Sequence, residues 1–107
     1  MTTISKENNY ITFINVFTVK PADQQTLIDL LIQATQVVKK EPGFISSSLY
    51  RSLDGTKVTM YAQWESIERY NAMRGNPAAL PFLQQAMQIA AFEPGMYEVV
   101  ESFTPSL

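Results

Sequence analysis

The chain has 107 residues and a formal net charge of −2, from 8 basic and 10 acidic side chains, with neither cysteine nor histidine. That composition excludes disulfides, thiolate zinc sites, thiol nucleophiles, His-dependent triads and haem ligation by His, and the charge balance offers no basic footprint for nucleic acid. The length suits one domain, and a charged share of only 17% leaves apolar surface for a partner.

Met1 to Asn9 is polar and aperiodic and reads as a flexible N-terminal arm, with one domain over residues 10–107. Tyr10 to Val19 reads as a strand. Phe13, Asn15, Phe17 and Val19 share one face, and Ile14, Val16 and Thr18 the other. Asn15 is a polar side chain on an otherwise apolar face, either a satisfied structural amide or a ligand-facing donor. Pro21-Ala22-Asp23 opens a helix, with Asp23 or an adjacent residue supporting its N-terminus, and Leu27, Leu30, Leu31, Ala34, Val37 and Val38 follow at helical spacing until Pro42-Gly43.

Phe44 to Ser52 reads as the second strand. Leu53-Asp54-Gly55-Thr56 is a hairpin turn with Asp-Gly supplying positive φ angles, and Val58 to Trp64 returns antiparallel. Ser66 is an N-cap for a short helix to Arg74. Gly75-Asn76-Pro77 interrupts that helix, which resumes over about Leu80 to Ala91. Phe92-Glu93-Pro94-Gly95 reads as a turn, and Met96 to Phe103 as the last strand.

The order βαββαβ, its second helix broken, predicts an α+β ferredoxin-like fold: a four-stranded antiparallel sheet with helices on one face. The other face carries Ile14, Val16, Tyr61 and Gln63, a mix too apolar for water. Two such faces packed together predict a symmetric homodimer. No apolar run approaches the ~20 residues of a membrane span, and no secretory signal opens the chain, so a cytoplasmic location is expected, with no membrane partner.

Four stretches occur in order: Ile14 to Pro21, the Glu41-Pro42-Gly43-Phe44 turn, the Arg51-Ser52-Leu53-Asp54-Gly55 hairpin and Tyr61-Ala62-Gln63-Trp64-Glu65-Ser66. Together they resemble the antibiotic biosynthesis monooxygenase family over about residues 10–103. The resemblance implies a dimeric α/β barrel with one pocket per subunit between sheet and helices. It also implies oxidation of a small electron-rich aromatic, such as an anthrone or quinol, by O2 without metal or flavin. On this reading Trp64 and Asn15 are the catalytic polar contacts. Phe17, Met60, Tyr70, Arg74, Leu83 and Met87 complete the substrate pocket.

The chain also departs from the family pattern. Met60 stands where the polyketide oxygenases often carry an Asn, four residues before the Trp. Gln84 and Gln85 occupy the region where some of them have an assisting Arg. The haem-degrading branch needs a His after the Trp, which this chain lacks.

Bland readings stand beside these: Trp64 and Tyr70 as core aromatics, Met60 as core filling, Arg74 as a cation at a helix C-terminus. Tyr50 is a further candidate for the pocket mouth. The alternative function is a non-catalytic small-ligand binder or stress-associated dimer on the same scaffold, which Met60 favours.

Overall fold

The computed structural model describes residues 10–106, so the expected arm over residues 1–9 lies outside the described residues. Five strands form one antiparallel sheet: β1 (Ile11–Val19), β2 (Phe44–Arg51), β3 (Lys57–Trp64), β4 (Ala90–Glu93) and β5 (Met96–Tyr97). The order is β2-β3-β1-β4, and β5 pairs with β1 beside β4. Three helices accompany the sheet: α1 (Gln24–Val38), α2 (Ile67–Arg74) and α3 (Leu80–Ile89). No helix among the described residues is long and apolar enough to cross a membrane.

β1 lies at the centre because both its faces are apolar enough to be covered. Its register against β3 pairs Phe13 with Ala62, Asn15 with Met60 and Phe17 with Val58. All six belong to the parity that faces the helices. Two core clusters form there. Phe17, Val58, Leu27, Leu31 and Ala86 make one, and Phe13, Ala62 and Trp64 make the other. The Asn15–Met60 pair is the rung between them.

The opposite face holds Ile14, Val16 and Tyr61, all half-buried, with Thr12 and Gln63 buried. Thr12 Oγ1 and Tyr61 Oη are buried there without a hydrogen-bond partner.

The sequence reading departs from the structure in three places. The last strand does not run from Met96 to Phe103. The strand beside β1 starts at Ala90, in what reads as the helix tail, and its second half ends at Tyr97. Pro94-Gly95 breaks it in two, since proline has no N–H for the ladder; the Gly95 carbonyl still accepts from Ile14 N at 3.0 Å.

The entry to α1 is a 3-10 turn over Pro21–Asp23, and the Asp23 side chain makes no capping bond. Gln24 is the residue at work there. It is buried, and its Nε2 donates to the carbonyls of Ser52 and Lys57 at 3.1 and 3.0 Å, fastening the hairpin to the start of α1.

In the hairpin only Gly55 takes a positive φ, +83°. Asp54 acts through its carboxylate, which accepts from the Thr56 hydroxyl, the Thr56 backbone N–H and the Ser52 hydroxyl. The Thr56 hydroxyl bond, then the other two, hold this exposed carboxyl down at about 2.

The turn from α1 into β2 depends on Gly43. Its φ is +90°, and a Cβ there would meet the Arg69 side chain at 2.5 Å. Gly43→Ala therefore strains the backbone and displaces α2 at once. We expect a loss of at least about 1 kcal/mol, read as a fall in melting temperature of roughly 5 °C or more. An unchanged melting curve would contradict this account of the turn.

Candidate active site

The end of β3 is held from both sides. Glu65 N donates to the Gly43 carbonyl at 2.8 Å, and the Ser66 hydroxyl caps α2 by accepting from Arg69 N at 3.2 Å. Between these anchors and the sheet, Trp64 is only 1% exposed. Phe44 and Tyr70 meet its ring edge-on, with centroids at 5.4 and 5.9 Å. Tyr70 also stacks on Phe13 at 3.9 Å with 17° between the planes. α2 is thus docked by an aromatic contact rather than by an apolar stripe: none of its residues is fully buried.

The break between α2 and α3 is an ordered turn. Asn76 Oδ1 accepts from Ala78 N at 2.8 Å, and Asn76 Nδ2 donates to the Glu41 carboxylate. Ala79 follows, 2% exposed, and swings α3 onto α1.

The three helices and the sheet surround a cavity of about 470 Å³. Its floor is Phe13, Asn15, Phe17, Met60, Ala62 and Trp64. α1 contributes Leu31, Ala34 and Thr35 to its walls. Leu80, Leu83 and Met87 of α3 line it while remaining exposed, so they form the rim. This is the size and the mostly apolar character of a small-molecule site.

The geometry brings eight of the candidate residues that the sequence singles out to one place. Asn15, Trp64, Phe17, Met60, Tyr70, Arg74, Leu83 and Met87 all line this one cavity. Tyr50 does not; it is exposed on the edge strand, among residues that do not line the cavity. Met60 is half-buried and both packs against the first core cluster and faces the cavity, so it fills the core and lines the site together.

Phe13, Phe44 and Phe92 also belong to the site, and sequence reasoning does not single them out. Parity with Asn15 is signal enough for Phe13. Phe92 is hidden in an apparent turn, yet it pairs with Phe17 in register and stacks on it at 4.8 Å.

The chemistry available is sparse and specific. Asn15 Oδ1 is buried with no hydrogen-bond partner. The Trp64 indole N–H is the second polar group of the floor. Thr35 is spent on its own helix, its hydroxyl donating to the Leu31 carbonyl at 2.7 Å. The floor therefore offers an amide and an indole N–H to a ligand, and Ser47, Tyr70 and Arg74 add polar groups around it. Among the described residues no group of three or more His, Cys, Asp or Glu side chains converges to hold a metal ion.

These features define a small α+β protein with a mostly apolar, aromatic-lined cavity of small-molecule size. The antibiotic biosynthesis monooxygenase family model matches residues 10–85, and the chain belongs to that family. Tetracenomycin-F1 monooxygenase of Streptomyces glaucescens is 36% identical over 104 residues, covering 96% of this chain and 93% of the relative. Among solved structures, the monooxygenase ActVA-Orf6 of Streptomyces coelicolor, in complex with nanaomycin D, is 27% identical. It superposes with a TM-score of 0.78 over 91% of this chain and 93% of its own. SnoaB of Streptomyces nogalater, a cofactor-independent oxygenase, is 21% identical, with a TM-score of 0.77 over 90% of this chain and 98% of its own. The ferredoxin-like α+β architecture is thus shared with these proteins, and the family relationship supports a monooxygenase.

If this cavity is the ligand site, a bulky group at its rim blocks it without unfolding the protein. Leu83→Trp should leave the melting temperature within about 3 °C, because Leu83 is half-exposed. The same variant should abolish saturable binding of a naphthol measured by calorimetry. Wild-type affinity in the variant would place the ligand elsewhere.

Proposed function

We propose that the chain is a cofactor-independent monooxygenase that oxidises a small electron-rich aromatic compound, of the anthrone or quinol kind, with O2. The observation that carries the reading is the Asn15 amide. It is a polar group whose oxygen has no partner, set on an apolar floor that also holds the buried indole of Trp64. A buried amide oxygen without a donor costs free energy that a ligand hydroxyl relieves. Rotation about χ2 lets the same amide offer Nδ2–H instead.

The chemistry asks little of the protein beyond that. An anthrone is easily deprotonated next to its carbonyl system. Hydrogen bonds from the Trp64 indole and the Asn15 amide to the substrate oxygen favour the resulting enolate, in a cavity that excludes most water. The enolate gives one electron to O2, and the radical pair combines to form a C–O bond. The hydroperoxide then loses water and leaves a carbonyl. A CH2 group and O2 have become C=O and H2O, so one oxygen atom is in the product and one in water. Holding the ring within the aromatic and aliphatic walls of the cavity is the positioning contribution.

We also propose that a second copy covers the sheet face opposite the helices. Half-buried Ile14, Val16 and Tyr61 lie there, with the unpartnered Thr12 and Tyr61 hydroxyls. A homodimer supplies both apolar cover and polar partners.

The test is oxygen uptake by chelator-treated protein with an anthrone, against a blank without protein. Uptake should saturate with substrate, and Trp64→Phe and Asn15→Ala should each lower turnover on the order of tenfold or more. Light scattering on the same samples should give twice the 12.1 kDa of one chain for all three proteins. Uptake equal to the blank, with the anthrone still bound, would replace this reading by the ligand-binder, which the thioether of Met60 opposite Asn15 favours.

A further inference from the structure

Arg74 is the one charged residue among those that line the cavity. It closes α2, where a cation suits the helix dipole, and it also lines the mostly apolar cavity. Its neighbours leave it without a counter-ion. One turn back stand Tyr70 and Asn71, so no i,i+3 or i,i+4 carboxylate pairs with it. The nearby carboxylate of Glu41 is taken by Asn76 Nδ2. Among the described residues Arg74 makes no ion pair and no hydrogen bond, and no carboxylate lines the cavity.

The other polar residues that line the cavity, Asn15, Thr35, Ser47, Trp64, Tyr70 and Asn76, are uncharged, and Asn15 and Trp64 sit on the floor formed by β1 and β3. Arg74 is exposed, at the end of the helix that Tyr70 docks against Phe13. A ligand lying along the floor therefore meets neutral hydrogen-bonding groups on the sheet and a planar cation at the end of α2.

We propose that the ligand of this site carries an anionic substituent, a carboxylate on the aromatic skeleton, which the Arg74 guanidinium receives. This rests on the cavity being the substrate site and narrows the substrate class to aromatic acids. A guanidinium presents parallel N–H donors that match the two oxygens of a carboxylate, which a neutral ester cannot exploit. The contact selects among substrates that the floor alone, built from rings and methyl groups, accepts equally.

The test is calorimetric titration with 6-hydroxy-2-naphthoate and with its methyl ester, both without O2. The two probes share ring and hydroxyl and differ only in charge. Wild-type protein should bind the acid about tenfold more tightly than the ester, the size of one charge-assisted hydrogen-bonding contact. Arg74→Gln should weaken the acid to the level of the ester while leaving the ester's affinity where it was, and Arg74→Lys should keep part of the preference.

Equal binding of both probes by the wild type, or an undiminished preference in Arg74→Gln, would overturn the inference. Binding of neither probe would overturn it together with the cavity as substrate site. A preference that behaves as expected, in a protein that consumes no O2, would leave the anionic subsite standing and remove the oxygenase reading alone.

Discussion

The antiparallel pairing of β1 with β3 places Phe13 beside Ala62, Asn15 beside Met60 and Phe17 beside Val58. Everything else in the site follows from that register. A slip of one residue would turn Asn15 to the opposite face and bring Ile14 and Val16 under the helices. In the observed register an apolar cluster forms at each end of the face. The rung between them carries an amide and a thioether. Tight packing across an amide with no partner is unfavourable, and the helices leave a cavity over that rung instead of a closed core.

The cavity's walls depend on two devices that pack nothing themselves. Gly43 lets the chain turn so closely that Arg69 lies over it, and Ser66 caps the helix that follows. Together they bring Tyr70 onto Phe13 and against Trp64. The ordered turn at Asn76 then separates α2 from α3 and opens the space between them. The result is an aromatic floor on regular strands, which is rigid, beneath a rim on short helices. Such a site suits chemistry in which the substrate supplies the reactivity and the protein supplies orientation, desolvation and one or two hydrogen bonds.

Much of this is legible in the residues. Strand alternation alone puts Asn15 with Phe13 and Phe17, and Met60 with Val58, Ala62 and Trp64. The Ser66 cap and the Pro-Gly turn mark helix ends by their own chemistry. The last strand is not legible, for opposite reasons at its two ends. Ala90 and Ala91 extend the helical pattern of α3, and only pairing with Val19 and Thr18 draws them into the sheet. Beyond Tyr97, Val99, Glu101 and Phe103 alternate as a strand would, yet among the described residues they join no strand of the sheet. Strand propensity describes a fit to neighbours, and it forms nothing where the neighbour is absent. Phe92 is hidden along with β4. Asp54 reads as a backbone element of its turn, whereas it serves as a hydrogen-bond acceptor.

The central claim is that one ligand lies against the Asn15 amide and the Trp64 indole together. Trp64 is the chain's single tryptophan, so its indole N–H gives one resonance in a nitrogen–proton correlation spectrum. The most direct measurement is that spectrum recorded through a titration with a naphthol under nitrogen, with the Asn15 side-chain amide assigned by its loss in Asn15→Ala. The account predicts that the indole and the Asn15 amide signals move together and saturate at one ligand concentration. A ligand that binds while both signals stay in place would contradict it.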